Sequence, residues 1–138
     1  RGLGDVYKRQ LIFNPLAGEI NPGYEFTMGK KFISVSESEL MKSATDQVRN
    51  AYKISKKPPL IEFYDLQTDP FEFNNLANEE KYSEEIKKLK YLLQHWQKDS
   101  EDPLFFPEVA KKLFNMINDA GTKDRIKINY KSLMQIKP

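Results

Sequence analysis

A strand that turns straight into an amphipathic helix is the feature that most constrains this chain. Leu60-Ile61-Glu62-Phe63-Tyr64 is apolar and aromatic enough for a strand. Asp69-Pro70 follows as a turn signal, because proline pre-sets φ and the aspartate oxygen can accept a nearby backbone N–H. Beyond it Tyr82, Ile86, Leu89, Leu93 and Trp96 recur at steps of four and three, one face of a helix. That stripe is predicted to lie on the sheet with Trp96 as a core residue. Lys87, Lys88, Lys90, Gln94 and Lys98 fall elsewhere and form a solvated face. Asn78 is placed to cap the helix, with Glu79 and Glu80 in a first turn that favours carboxylates.

Elsewhere the chain is less regular. Leu11-Ile12-Phe13 reads as a strand stopped by Asn14-Pro15. Between residues 15 and 30, Pro15, Gly18, Pro22, Gly23 and Gly29 predict an ordered loop with no helix. Ser36-Glu37-Ser38-Glu39 fits a capping box, and Met41, Ala44, Val48 and Tyr52 continue at helical spacing, so one helix from about Glu37 to Tyr52 is expected. Lys56-Lys57-Pro58-Pro59 is an extended connector. Pro107 starts a further helix with Val109, Leu113, Phe114 and Ile117 inward and Gly121 at its end. Ile126, Ile128 and Tyr130 then alternate with polar residues as in a half-buried strand. The basic tail from 121 to 138 is read as solvated surface before it is read as a polyanion-binding segment.

Composition excludes several classes of function. The 138 residues suffice for one domain, and 22 basic residues against 20 acidic ones make no field that would draw nucleic acid or a membrane surface. There is no cysteine, which removes a disulfide framework and a thiolate metal site. His95 is the only histidine, so a Ser-His-Asp arrangement or a histidine-rich zinc site cannot be built from it. By helical spacing it sits above Tyr91 and Leu92 as a partly exposed residue. No apolar run reaches the roughly eighteen residues of a membrane span.

Tyr64, Asp65, Leu66, Asp69, Pro70, Glu72, Asn75, Leu76 and Ala77, nine positions in fourteen, resemble the segment leading into the last helix of type I sulfatases. Trp96-Gln97 followed by Asp102-Pro103 is similar to the tail of the heparan N-sulfatase branch, where such a pair closes the helix before an aspartate-proline turn. The resemblance covers roughly residues 11 to 108, and the last thirty residues match nothing in it. It implies that residues 11 to 138 are an α+β C-terminal subdomain, a small antiparallel sheet covered by helices, of an alkaline-phosphatase-like sulfatase. Residues 1 to 10 resemble a translated sequencing adaptor and are set aside as a sequencing or cloning scar, with the true N-terminus expected upstream.

What the resemblance implies about chemistry lies mostly outside this chain. The family's nucleophile is a formylglycine made from a Cys/Ser-x-Pro-x-Arg motif, and no such motif occurs here. Its calcium is held by hard oxygen ligands on upstream strands, so calcium is expected in the full-length enzyme and no cofactor in this chain. Asp65 and Asp69 are explained by their strand-turn setting instead. The implied activity of the parent is hydrolysis of sulfate or sulfamate groups in glycosaminoglycan degradation. Its implied partners are the N-terminal catalytic domain of the same enzyme and a sulfated glycan, with neither nucleic acid nor membrane, and its implied place is the periplasm or the extracellular space. Tyr24, Glu25, Lys30 and Lys31 are the candidate substrate-rim residues, because lysines and an aromatic suit an anionic sugar. The bland reading of them is a solvated loop. A competing reading of the whole chain is a free-standing, non-catalytic carbohydrate or protein interaction module.

Overall fold

The computed structural model describes residues 8–28 and 35–119, and the chain divides into two units, Arg1–Lys90 and Tyr91–Pro138. The described residues combine helices with a two-stranded antiparallel sheet, an α+β arrangement.

In the first unit β1 (Arg9–Phe13) pairs with β2 (Ile61–Asp65), Leu11 standing opposite Phe63. The strand begins at Arg9, two residues before the expected Leu11, because Arg9 has partners across the sheet. Its guanidinium lies 3.7 Å from Asp65, reaches Glu85, and sits 5.1 Å from the centre of the Tyr82 ring. Lys8 also enters the ladder, its carbonyl accepting from Leu66 N–H at 2.8 Å. At the other end the ladder continues past both strands: Asn14, Gly18 and Asn21 donate their N–H groups to the carbonyls of Leu60, Pro58 and Lys56 at 2.9, 3.0 and 2.9 Å. Gly18 turns this segment with φ +81, a conformation in which glycine carries no Cβ penalty.

The junction after β2 forms as expected and its side chains hold it. Asp65 Oδ1 accepts from Gln67 N–H at 3.1 Å, and Asp69 Oδ2 accepts from Asn74 N–H at 2.7 Å. Asn75 then lies along the free edge of β2. Its Oδ1 accepts from Phe63 N–H at 3.0 Å, its Nδ2 donates to Ile61 O at 3.3 Å, and Leu76 N–H donates to Phe63 O at 2.8 Å. A short strand thereby has its outward groups satisfied without a third strand. Phe63 is fully buried, with the Tyr82 ring 5.5 Å away, centre to centre. The opposite face of β2 buries a polar pair: Tyr64 donates to Glu62 Oε2 at 2.5 Å, and Asn14 Nδ2 donates to Glu62 Oε1 at 2.8 Å. Burial and that bond to a carboxylate raise the Tyr64 phenol above its ordinary pKa.

Three helical expectations need correction. Residues 15–30 are not helix-free, because α1 occupies Pro22–Met28. Pro22 stands at the first helical position, where its missing N–H costs nothing, and Asn21 Oδ1 accepts from Gly23 N–H at 2.9 Å. The single helix from 37 to 52 is two helices, α2 (Glu37–Ser43) and α3 (Asp46–Lys56). The Ser36/Glu39 capping box is present, but Ala44 is extended and the Thr45 hydroxyl caps α3 by accepting from Val48 N–H at 3.3 Å. Asn78 does not cap the next helix; a 3₁₀ turn, Glu80–Tyr82, intervenes and α4 runs from Ser83 to Asp99 with Glu84 and Glu85 in its first turn.

The division between the units falls within α4. Tyr82, Ile86, Leu89 and Leu93 follow the predicted stripe inward, yet the next inward residue is Gln97, and Trp96 is 62% exposed. Trp96 is therefore not the core residue that its spacing suggested. Gln97 is buried because it has partners: its Nε2 donates to Asp102 Oδ2 at 3.3 Å and its carbonyl accepts from Asp102 N–H at 2.8 Å. Asp102 also starts the 3₁₀ turn Pro103–Phe105, accepting from Leu104 N–H at 2.9 Å. Helix α5 (Pro107–Asp119) begins at the predicted proline and buries Val109 and Ala110. The expected stop at Gly121, the strand near 126–130 and the basic tail lie outside the described residues. Among the described residues no helix is long and apolar enough to cross a membrane.

Candidate functional site

Helices α1, α2 and α3 each contribute a wall to a cavity of about 240 Å³ in the first unit. On α3, Arg49, Tyr52, Lys53 and Lys56 stand at steps of three, one and three, a single helical face. Glu37 and Met41 come from one face of α2 at a spacing of four, and Tyr24 comes from α1. The local caps position all of them: Asn21 and Pro22 start α1, the Ser36/Glu39 box starts α2, and Thr45 starts α3.

Most polar groups of the cavity already have partners. The Arg49 guanidinium closes the C-terminal end of α2, donating to Met41 O at 3.0 Å and to Ala44 O, and it holds Asp46 Oδ1 at 2.7 Å. Carbonyls at a helix end have no intrahelical donor, so this bond closes α2 where the chain breaks before α3. Lys56 Nζ donates to both Glu37 oxygens at 3.2 and 3.3 Å and lies 5.5 Å from the centre of the Tyr24 ring. The Tyr24 and Tyr52 rings meet edge to face, 6.3 Å apart at 80°.

Tyr24, Glu37 and Lys56 set the electrostatics of the cavity. Tyr24 is buried and its hydroxyl bonds to Glu37, which together push its pKa up to about 12. The same bond from Tyr24, with the Lys56 ammonium second, holds the Glu37 carboxyl below its usual range. Near neutral pH the phenol stays protonated and the carboxylate stays charged. No lining residue is a serine, cysteine or histidine.

Of the rim residues expected from sequence, Tyr24 lines this cavity. Glu25 is exposed and is not among the residues of its wall. Lys30 and Lys31 lie outside the described residues. Arg49, Tyr52, Lys53 and Lys56 were not singled out, although their shared helical face was a legible signal. Tyr52 was assigned to an apolar stripe of a longer helix instead. His95 is exposed and its ring lies 4.2 Å from that of Tyr91, as helical spacing predicted. Among the described residues no group of three or more histidine, cysteine, aspartate or glutamate side chains could hold a metal ion. Comparisons with models of protein families, with curated proteins and with solved structures find no match to this chain.

Proposed function

We propose that this chain is the C-terminal subdomain of a formylglycine-dependent sulfatase of the heparan N-sulfatase-like group. In that reading the parent enzyme hydrolyses sulfate or sulfamate from a glycan in the periplasm or outside the cell. This part supplies scaffold and a portion of the substrate rim beside the N-terminal catalytic domain. The reading rests on the Tyr64–Ala77 resemblance, and one structural observation supports the subdomain role. The buried apolar residues among those described are Tyr24, Phe63, Tyr64, Ile86, Val109 and Ala110, while Phe71 is 76% exposed and Tyr91, Leu92 and Trp96 are all more than half exposed. Three of these, Tyr91, Leu92 and Trp96, stand close together on α4, and exposed apolar groups gathered in this way mark a surface that another protein body covers.

The test is the reading frame upstream in the source DNA. A Cys/Ser-x-Pro-x-Arg motif there, with calcium-dependent turnover of a sulfated glucosamine by the joined protein, is the expected result. A stop codon or an unrelated domain would favour the second reading, a free-standing interaction module. The exposed face of α4 carrying Tyr91, Leu92, His95 and Trp96 is the observation on that side.

A further inference from the structure

Two polar ends on the wall of the α1–α3 cavity are left without a partner. Lys53 is exposed and makes no ion pair among the described residues; its charge is felt at Asp46, whose carboxylate is already held by Arg49 at 2.7 Å. The Tyr52 hydroxyl makes no hydrogen bond among the described residues, although its ring is fixed against Tyr24. Lys56 adds a second ammonium, shared with Glu37. The lining thus presents three cations against one carboxylate, beside Met41 and two tyrosine rings set edge to face, taken together as its floor.

These features call for a ligand with three properties. It must carry an anionic group for the lysines. It must have a hydroxyl or ring oxygen for Tyr52, and a flat apolar face for the rings. A pyranose has such a face, since its axial C–H groups point to one side. At about 240 Å³ the cavity lies below the size of a site for a drug-sized ligand. It admits one ring with its substituent, the rest of a chain remaining outside. A bare inorganic anion would meet the lysines and leave the floor unfilled; a neutral sugar would do the reverse.

We propose that this cavity holds a single anionic sugar ring of a glycan, with its sulfate or carboxylate on Lys53 and Lys56 and its ring against Tyr52, which Tyr24 holds edge to face. The choice of a sulfated sugar rests on the sulfatase reading above, whereas the cavity and its open polar ends do not. The proposal moves the rim contact from a loop to a helical face. Among the four residues predicted for the rim, it retains Tyr24.

The test is a titration of the isotope-labelled 138-residue chain with sulfated glucosamine, glucuronate, glucosamine and inorganic sulfate in turn, followed by backbone amide shifts. Saturable shifts at Tyr24, Tyr52 and Lys53 are expected with the sulfated sugar, at least about tenfold tighter than with glucosamine or inorganic sulfate. Raising the ionic strength from about 0.02 to about 0.2 M should weaken the interaction, since exposed charges are screened over that range. Lys53→Ala should weaken it about fivefold or more, the loss of one charge-assisted contact, while leaving the thermal midpoint in place because Lys53 has no folding partner. Tyr52→Phe, which keeps the ring, should lose only the hydroxyl's share. No saturable shift, equal affinity for inorganic sulfate and the sulfated sugar, or an unchanged affinity in Lys53→Ala would each overturn the proposal. The two readings fail separately. An upstream sulfatase motif without sugar binding removes the cavity site alone, and sugar binding without the motif removes the sulfatase alone.

Discussion

Asn75 does more for this fold than its place in a polar, turn-rich run suggests. Its side chain bonds to Phe63 N–H, Ala77 N–H and Ile61 O, and Phe63 is fully buried. Asn75→Ala would leave a buried N–H without an acceptor, and a loss of about 1–3 kcal/mol is expected, read as a lower denaturation midpoint. Asn75→Asp keeps the acceptor for Phe63 N–H but loses the bond to Ile61 and turns a carboxylate oxygen toward that carbonyl, so a smaller yet measurable loss is expected. If the two variants are equally stable, the Phe63 bond is not what Asn75 contributes. Glu37 is the other residue whose environment makes a prediction. Its folded pKa is lowered, first by the Tyr24 hydroxyl and then by Lys56. Its contribution is therefore present above 4.5, the ordinary glutamate value, and is lost as pH falls through the lower folded value. An acid titration of the Tyr24 ring signals should show a midpoint under 4.5 that disappears in Glu37→Gln. A midpoint at or above that value would mean that the Tyr24–Glu37–Lys56 cluster does not persist in solution.

At the scale of elements, α4 carries the clearest contrast. Phe63→Ala, on β2 against the Tyr82 ring just before α4, should cost about 3–5 kcal/mol, the range for truncating a buried aromatic. Trp96→Ala removes a larger side chain from a site that is 62% exposed, and a change within about 0.5 kcal/mol is expected, as for an ordinary surface substitution. Urea midpoints of the two variants decide the matter; a large loss in Trp96→Ala would restore the tryptophan to the core. The periodicity could not choose between Trp96 and Gln97. Both follow Leu93, by three and by four residues, and with 3.6 residues per turn each is close to the inward line. Asp102 decides, because it gives the buried Gln97 amide a partner. The α2–α3 break was similarly concealed, since Met41, Ala44, Val48 and Tyr52 keep helical spacing across it. Arg49 closes α2 at the break by reaching back to the Met41 and Ala44 carbonyls, a contact that spacing alone does not reveal.

For the whole molecule the expectation is chemical silence from this chain by itself. The sequence holds no Cys/Ser-x-Pro-x-Arg motif, and the described residues hold no metal-binding group. The purified 138-residue protein should give no turnover of an aryl sulfate or a sulfated glucosamine above a buffer blank, and no calcium-dependent shift in its thermal midpoint. Measurable hydrolysis would show that a nucleophile has been overlooked and would end the subdomain reading. Phe71, Tyr91, Leu92 and Trp96 should be covered in the joined protein, which protection from solvent quenching of Trp96 would report.

The local chemistry of this chain was legible in its residues wherever a group satisfies its neighbour within a few positions. The strand at Ile61–Asp65, the Asp65/Asp69 turn, the Ser36/Glu39 capping box and the Pro107 helix start are all of this kind, because a cap or turn bond depends only on the backbone beside it. Proline and glycine counts between 15 and 30 misled for the same reason, since Pro22 is a helix starter once Asn21 caps it. The tertiary structure alone decided what depends on residues far apart in the chain. Arg9 became a strand residue through Asp65 and Glu85, Glu62 became a buried carboxylate through Asn14 and Tyr64, and Tyr24 joined Tyr52, Lys53 and Lys56 around a cavity. Burial and charge pairing are properties of the space between elements, and a linear pattern of residues carries their periodicity without carrying their partners.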